Sequence, residues 1–276
     1  MNYRHAFHAG NHADVTKHVV LLECLAHLAK KPAPFAVLDA FAGIGRYDLE
    51  SDEARRSPEW QGGVARIWDW EGAPPAIEAY RQALRRNNAD GALRIYPGSP
   101  VLARQALRPQ DRLVLCEKHG EDAPALRALF RNDGQVQVHA RDAWEALGAL
   151  LPLPEKRGLI LIDPAYEETQ EVERAAQALQ AALTRFETGI YIWWRPLKEA
   201  RAVARADEDL MRATRRPALR VDLAVARQTA EGKLTASGLL IVNPPFGLEE
   251  TLRAALPPLS ARLAAGEGAG FDVRTL

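Results

Sequence analysis

Seven short apolar runs, separated by stretches of helical periodicity, constrain this chain more than any other feature of its sequence. They are Phe35–Ala40, Leu113–Cys116, Val136–Ala140, Leu159–Ile162, Gly189–Trp194, Leu219–Ala226 and Leu239–Val242. Short apolar runs bounded by turn signals read as strands buried on both faces. Strands that alternate with helices predict an α/β fold with a seven-stranded, mostly parallel sheet covered on both sides. Among the helical stretches, 13–30 places Val15, Val19, Leu22, Ala26 and Ala29 at the spacing of an amphipathic helix, and 172–186 aligns Ala175, Leu179, Ala182, Leu183 and Phe186. The alternation breaks once, between the first and second strands. Residues 58–70 and 74–88 both look helical there, parted by Pro74 and Pro75. Residues 50–93 are therefore expected to be a small inserted helical subdomain within a main domain built from 1–49 and 94–276. Trp60, Trp68 and Trp70 lie in the insertion and are expected to pack onto the main sheet.

Composition narrows the class. The 276 residues carry 36 basic and 36 acidic side chains, and 47% are hydrophobic, which is ordinary for a globular protein. The apolar stretch Val19–Ala29 is broken by Glu23 and His27, so no segment approaches the roughly 20 residues of a membrane span. The start of the chain lacks the apolar core of a secretory signal. Two cysteines, Cys24 and Cys116, make no disulfide framework and fit a reduced cytoplasm. Zero net charge excludes a protein that coats nucleic acid by bulk charge. It allows cations gathered on one face: residues 81–112 hold seven arginines against two aspartates, and 195–227 hold nine basic against five acidic side chains. These segments are expected to converge.

Five motifs carry chemistry. Asp39 ends the first run and feeds a turn with Gly43 and Gly45, where backbone approaches a nucleotide-like ligand closely. Position 48 is Asp rather than the third glycine of a dinucleotide fingerprint, which disfavours a pyrophosphate ligand. Glu117 follows the second run, where an acid can accept both ribose hydroxyls of an adenosyl group; a solvated loop acid is the plain alternative. Asp142 follows the third run and is either an acceptor for an adenine amine or a helix N-cap. The fourth run ends in Asp163-Pro164-Ala165-Tyr166. A carboxylate and the Pro164 carbonyl can hold a planar exocyclic amine between two acceptors, ready for in-line methylation, and Tyr166 can stack on an extruded base. Asn243-Pro244-Pro245-Phe246 could do the same job, but a ligand at the switch point of an open sheet favours the middle strand, hence Asp163. The fifth motif is the N-terminal block Tyr3–His18, with His5, His8, His12 and His18. His8 and His12 are four residues apart, yet no recognised metal-ligand spacing completes them; no metal is expected, and the block is expected to fold over the active site.

With these motifs in view, the chain resembles the RlmJ family of 23S ribosomal RNA adenine-N6 methyltransferases. The resemblance runs from YRHAFHAGNHADVTKH through YPGSP, GLILIDPAY, TGIYIWW and TASGLLIVNPP to the C-terminus. It implies a Rossmann-like class I methyltransferase fold, S-adenosylmethionine as methyl donor and one adenine of 23S ribosomal RNA as acceptor, with no membrane or obligatory protein partner. It also implies roles: Asp163 as the catalytic acid, Lys17, His18, Ser99, Glu117 and Asp142 at the cofactor, and Tyr3 toward the RNA. Three positions depart from the family pattern. Ala165 replaces a second proline, Phe41 stands for a cofactor-contacting histidine, and Ala143 replaces a glycine. The alternatives are a DNA adenine-N6 methyltransferase, which would need a larger recognition domain than 50–93, and a non-catalytic RNA-binding module.

Overall fold

The computed structural model describes residues 4–167, 170–198, 200–228 and 233–276. In chain order the elements are α1 (His12–Ala29), β1 (Ala36–Asp39), β2 (Arg46–Asp48), α2 (Asp52–Arg56), α3 (Val64–Trp68), α4 (Pro75–Arg85), β3 (Ile95–Pro97), α5 (Ser99–Ala106), β4 (Arg112–Cys116), α6 (Asp122–Leu129), β5 (Val136–His139), α7 (Ala143–Leu150), β6 (Gly158–Ile162), α8 (Glu171–Arg185), β7 (Ile190–Pro196), α9 (Ala200–Thr214), β8 (Ala218–Ala224), β9 (Ala236–Val242), α10 (Leu248–Leu263) and β10 (Gly270–Thr275).

All seven expected strands form, and with β10 they join in the order β10-β8-β9-β7-β6-β1-β4-β5. From β5 to β7 every pairing is parallel, whereas β9 runs against both β7 and β8, and β10 against β8. The main sheet thus has eight strands rather than seven, and β2 pairs separately with β3. The eighth was missed because β10 lies at the sheet edge and reads Gly-Phe-Asp-Val-Arg-Thr, with Val273 alone buried; an edge strand needs no continuous apolar run.

Alternate residues of the central strands face opposite layers, as strand geometry requires. Val37, Leu159, Leu161, Ile190 and Ile192 meet the layer of α1, α4, α5 and α10. Leu38, Ile160, Ile162, Tyr191 and Trp193 meet the layer of α7 and α8. Helix α1 was expected to be amphipathic; instead it is buried on nearly every side, packed by α4, α5 and α10 as well as the sheet. Its polar residues His12, Asp14, Thr16, Lys17 and His18 are buried too, so they must be satisfied internally.

The stretch 50–93 folds as α2–α4 and a 3-10 turn at Glu59–Gly62. The helix expected over 58–70 is interrupted at Gly62-Gly63. A Cβ at Gly63 would lie 2.1 Å from the Gly10 carbonyl oxygen, and the Val64 N–H donates to that oxygen at 2.8 Å. Val64, Ile67, Ile77, Tyr80 and Leu84 belong to the same core as α1 and β1, with Trp60, Trp68 and Trp70 packed in or against it.

Half of the cations of 81–112 and 195–227 are tied into the fold by acids or carbonyls. Arg94, Arg104, Arg108 and Arg112 pair with Asp90, Asp133, Asp111 and Glu155. Arg81 is buried on Glu78 and the Trp68 carbonyl. Arg195 is buried against Asp207, and Arg216 and Arg220 pair with Glu187 and Asp222. These arginines are neutralised structurally, which sequence counts of basic residues do not reveal.

Candidate active site

Strand order reverses at β1, which has β4 on one side and β6 on the other. The crevice at the carboxyl ends of these strands is where an open α/β sheet binds its ligand. Four acids converge on that end: Asp39 closes β1, Glu117 follows β4, Asp142 follows β5 and Asp163 follows β6.

The loop after β1 explains its glycine. Gly43 has φ +61°, and a Cβ there would sit 2.3 Å from the Tyr47 hydroxyl, so only glycine fits both the backbone and the space. Its N–H donates to Glu117 Oε2 at 2.8 Å, while Glu117 Oε1 accepts from the His119 N–H at 2.7 Å. Glu117 therefore clasps the glycine turn instead of lying free in solvent. Asp39 is buried; its Oδ1 accepts from the Phe41 N–H at 3.3 Å, and its Oδ2 has no hydrogen-bond partner among the described residues. Burial pushes its carboxyl up to about 6, against the opposing pull of the Ser99 hydroxyl and Lys17. Ser99 begins α5 and is buried.

Asp142 proves to be the N-cap of α7, its Oδ1 accepting from the N–H groups of Trp144 at 2.9 Å and Glu145 at 3.4 Å. Lys118 donates to its Oδ2 at 2.9 Å. These bonds hold the Asp142 carboxyl below the usual range despite its partial burial. Ala143 opens α7 with its side chain buried, where a Cβ is no obstacle. Phe41 packs edge-on against Trp144, ring centres 5.1 Å apart.

Helix α1 closes the crevice. The Asn11 side chain caps it by accepting from the Ala13 and Asp14 N–H groups, both at 3.0 Å. One turn in, Lys17 Nζ donates to Asp14 Oδ1 at 2.7 Å and to Asp163 Oδ2 at 2.5 Å. Burial alone would push Lys17 down, but the two carboxylates outweigh it and hold the ammonium above the ordinary lysine range. Asp14 Oδ2 also takes the His5 ring at 2.9 Å and the Gly10 N–H at 2.8 Å. Burial is again outweighed, by His5 and Lys17, and Asp14 sits well below the usual carboxylate range. Asp14 was not singled out by sequence; its spacing of three before Lys17 on one helix was the available signal.

His18 faces the core. Its Nδ1 bonds the Tyr96 hydroxyl at 2.7 Å, which bonds the Tyr80 hydroxyl at 3.1 Å; Nε2 is buried without a partner. Burial and Lys17 push its ring well below the ordinary histidine range. The N-terminal segment straps across the crevice: Arg4 pairs with Glu121 at 3.1 Å, and His8 Nδ1 bonds Glu59 Oε1 at 2.8 Å. His12 is buried and pushed down to about 4 by that burial. Tyr3 lies outside the described residues. Among the described residues no group of His, Cys, Asp and Glu has the geometry to hold a metal ion, and no helix is long and apolar enough to cross a membrane.

Beyond Asp163 the chain turns sharply, and Tyr166 adopts φ +53°, a left-handed conformation unusual for an aromatic residue. Its hydroxyl donates to the Trp194 carbonyl at 2.7 Å and accepts from the Trp193 indole N–H at 2.7 Å, so β7 anchors the tip of the ring. Strand direction sets the rival motif apart from the crevice. Because β9 runs antiparallel to β7, Asn243 emerges at the opposite end of the sheet. There it has φ +55° and donates to the carbonyls of Glu187 and Gly189, both at 2.8 Å.

Residues 32–273 match the family described as ribosomal RNA large subunit methyltransferase D, RlmJ. The chain is 42% identical to ribosomal RNA large subunit methyltransferase J of Escherichia coli (strain K12), over 97% of this chain and 96% of that protein. It is 39% identical to the protein of the same name from Haemophilus influenzae, over 98% and 96%. A crystal structure of a protein from Legionella pneumophila str. Philadelphia 1 is similar with a TM-score of 0.86 and 34% identity, covering 97% of this chain and 98% of that one. The chain belongs to the RlmJ family of ribosomal RNA large subunit methyltransferases.

Proposed function

We propose that this enzyme transfers a methyl group from S-adenosylmethionine directly to the N6 atom of one adenine in 23S ribosomal RNA. The observation that carries the reading is the Lys17–Asp163 pair, which fixes a carboxylate at the carboxyl end of β6 beside the switch point. The residues present fit the cofactor: Asp39 Oδ2, buried without a partner, suits a donor such as the ammonium group of its methionine part. Gly43 opens space for close backbone approach, and Glu117 and Asp142 suit its ribose and adenine. S-adenosylmethionine supplies an electrophilic methyl group when bound.

The protein's part is positioning. Lys17 engages Asp163 through Oδ2, leaving Oδ1 to accept one N–H of the adenine amine. The Pro164 carbonyl accepts the other, which draws the nitrogen lone pair out of conjugation. Pro164 is the residue the chemistry needs, so Ala165 leaves it intact. Tyr166, its hydroxyl anchored by β7, offers a ring face to the extruded base. Tyr3 is assigned to the RNA on resemblance alone. Asp163 is partly exposed and is placed to pass out the proton the nitrogen sheds. A cytoplasmic setting suits a ribosomal RNA substrate and the two buried free cysteines. Against the DNA reading, 50–93 is packed into the main core instead of projecting as a recognition domain.

The test incubates unmodified large-subunit ribosomal RNA with enzyme and labelled S-adenosylmethionine, followed by nucleoside mass spectrometry. N6-methyladenosine is expected from the wild type and none from Asp163→Ala. Absence of the product with wild type defeats the reading, and a wild-type rate in Asp163→Ala defeats the role of Asp163.

A further inference from the structure

At the amino ends of the parallel strands, opposite the crevice, Phe246 is 96% exposed, while no other large apolar side chain among the described residues exceeds 41%. Exposing a whole phenylalanine ring forgoes about 1.5–3 kcal/mol of burial, so its presentation calls for a reason. The ring is held out by a braced turn. Pro244 and Pro245 restrict the backbone before it, the Asn243 amide pins the turn to two carbonyls, and Gly247 follows at φ +82°. The Leu248 N–H closes the turn on the Pro245 carbonyl at 3.1 Å.

On one side the ring borders a groove of about 460 Å³ whose lining includes His27, Lys31, Lys156 and Arg157. Lys31 and Lys156 are exposed. The Arg157 guanidinium is propped by the carbonyls of Ala33 at 2.6 Å and Leu28 at 3.0 Å. Neighbouring acids are engaged elsewhere, Glu155 by Arg112 and Glu187 by Arg216. Burial first, then Lys30, Lys31 and Arg157, push His27 below its ordinary range, a sign of how closely these cations crowd. On its other side the ring borders a mixed groove with Glu249, Glu250 and Arg253, so the positive field is confined to one flank.

We propose that this groove is a second RNA-docking site, in which an unpaired base stacks on Phe246 and its flanking phosphates lie along Lys31, Lys156 and Arg157. The proposal rests on the reading of ribosomal RNA as substrate. Cations with no acidic partner among the described residues, beside one rigid, exposed ring, are what single-stranded nucleic acid needs: charge for the backbone and a sequence-tolerant platform for a base. Gly158 in the groove and Asp163 in the crevice are five residues apart along β6, about 17 Å in an extended strand. One nucleotide cannot touch both, so the groove would grip a different part of the RNA from the target adenine. It thereby favours a large folded substrate over a short one.

The experiment uses the full chain and two probes: unmodified large-subunit ribosomal RNA, and the shortest fragment of it that the wild type still methylates. Phe246→Ala and the double variant Lys31→Ala/Lys156→Ala are expected to raise KM for the long RNA by about tenfold. Both should keep its kcat and turn over the short fragment as the wild type does. The double variant is also expected to flatten the salt dependence of long-RNA binding by about one to two in log–log slope. Thermal melting checks folding, which an exposed ring and two exposed lysines should not disturb. If the wild type methylates both probes and the variants match it in KM and salt slope, the docking site is overturned while the activity stands. If the wild type methylates neither, the RNA reading has failed and the docking site falls with it. A concentration-dependent dimer abolished by Phe246→Ala, with RNA parameters unchanged, assigns the face to self-association and overturns RNA docking.

Discussion

Replacing Asp39 by asparagine keeps the shape of the side chain and removes its titration. The Asp39 carboxyl is buried at the mouth of β1, with one oxygen unpartnered, and burial lifts it from 3.8 to about 6. Each tenfold change in proton affinity corresponds to about 1.4 kcal/mol, so the folded and unfolded chains differ by about 3 kcal/mol at this group. In the unfolded chain the proton leaves near 3.8; in the folded chain it stays until about 6. Between those values the folded state binds more protons, so the group's contribution to stability falls as pH rises through that window and is level above it. Asparagine has no such penalty. Its advantage over aspartate should therefore grow by about 3 kcal/mol from about pH 4 to about pH 7. Urea denaturation of both proteins across that range measures it, and taking the difference cancels the other carboxyls, such as Asp14 and Glu59, that titrate in acid. A difference that stays constant with pH refutes the argument. The same variant should bind S-adenosylmethionine more weakly at neutral pH, because it loses the charge proposed to meet the cofactor's ammonium group; tighter or equal binding by calorimetry removes Asp39 from the cofactor site.

Lys17→Met strands two carboxylates around a buried position and should cost about 3–5 kcal/mol of stability near neutral pH. Adding Asp14→Asn should restore part of it, and a loss below about 1 kcal/mol for the single variant would show that the pair does not hold α1 to β6. Asn243→Ala should leave methyl transfer at its wild-type rate, since Asn243 lies at the far end of the sheet, while lowering stability by about 1–2 kcal/mol through two lost hydrogen bonds at a left-handed residue. A collapse of kcat in a folded Asn243→Ala protein would reinstate the rival motif.

The sequence by itself determined the seven central strands, the acids at their ends and the glycine turn, because apolar runs, turn residues and strand–acid junctions are local signals that a residue and its near neighbours carry. It also showed Asn243-Pro244-Pro245-Phe246 as chemically equivalent to Asp163-Pro164-Ala165-Tyr166. Strand order already favoured Asp163 at the switch point, and the tertiary structure set the two motifs at opposite ends of the sheet: β9 is antiparallel to β7, and strand direction depends on pairing with distant chain, which no local pattern records. The same holds for α1. Its apolar spacing looked amphipathic, but packing on nearly every side buried Asp14 and Lys17 and brought Lys17 to Asp163 across 146 positions of sequence. The arginine-rich stretches show the limit from the other direction. Their number is plain in the sequence, but whether a guanidinium meets solvent, RNA or an aspartate is decided by which side chains the fold sets beside it. The cations of the groove beside Phe246, Lys31, Lys156 and Arg157, lie outside those stretches and were not marked by any count of basic residues.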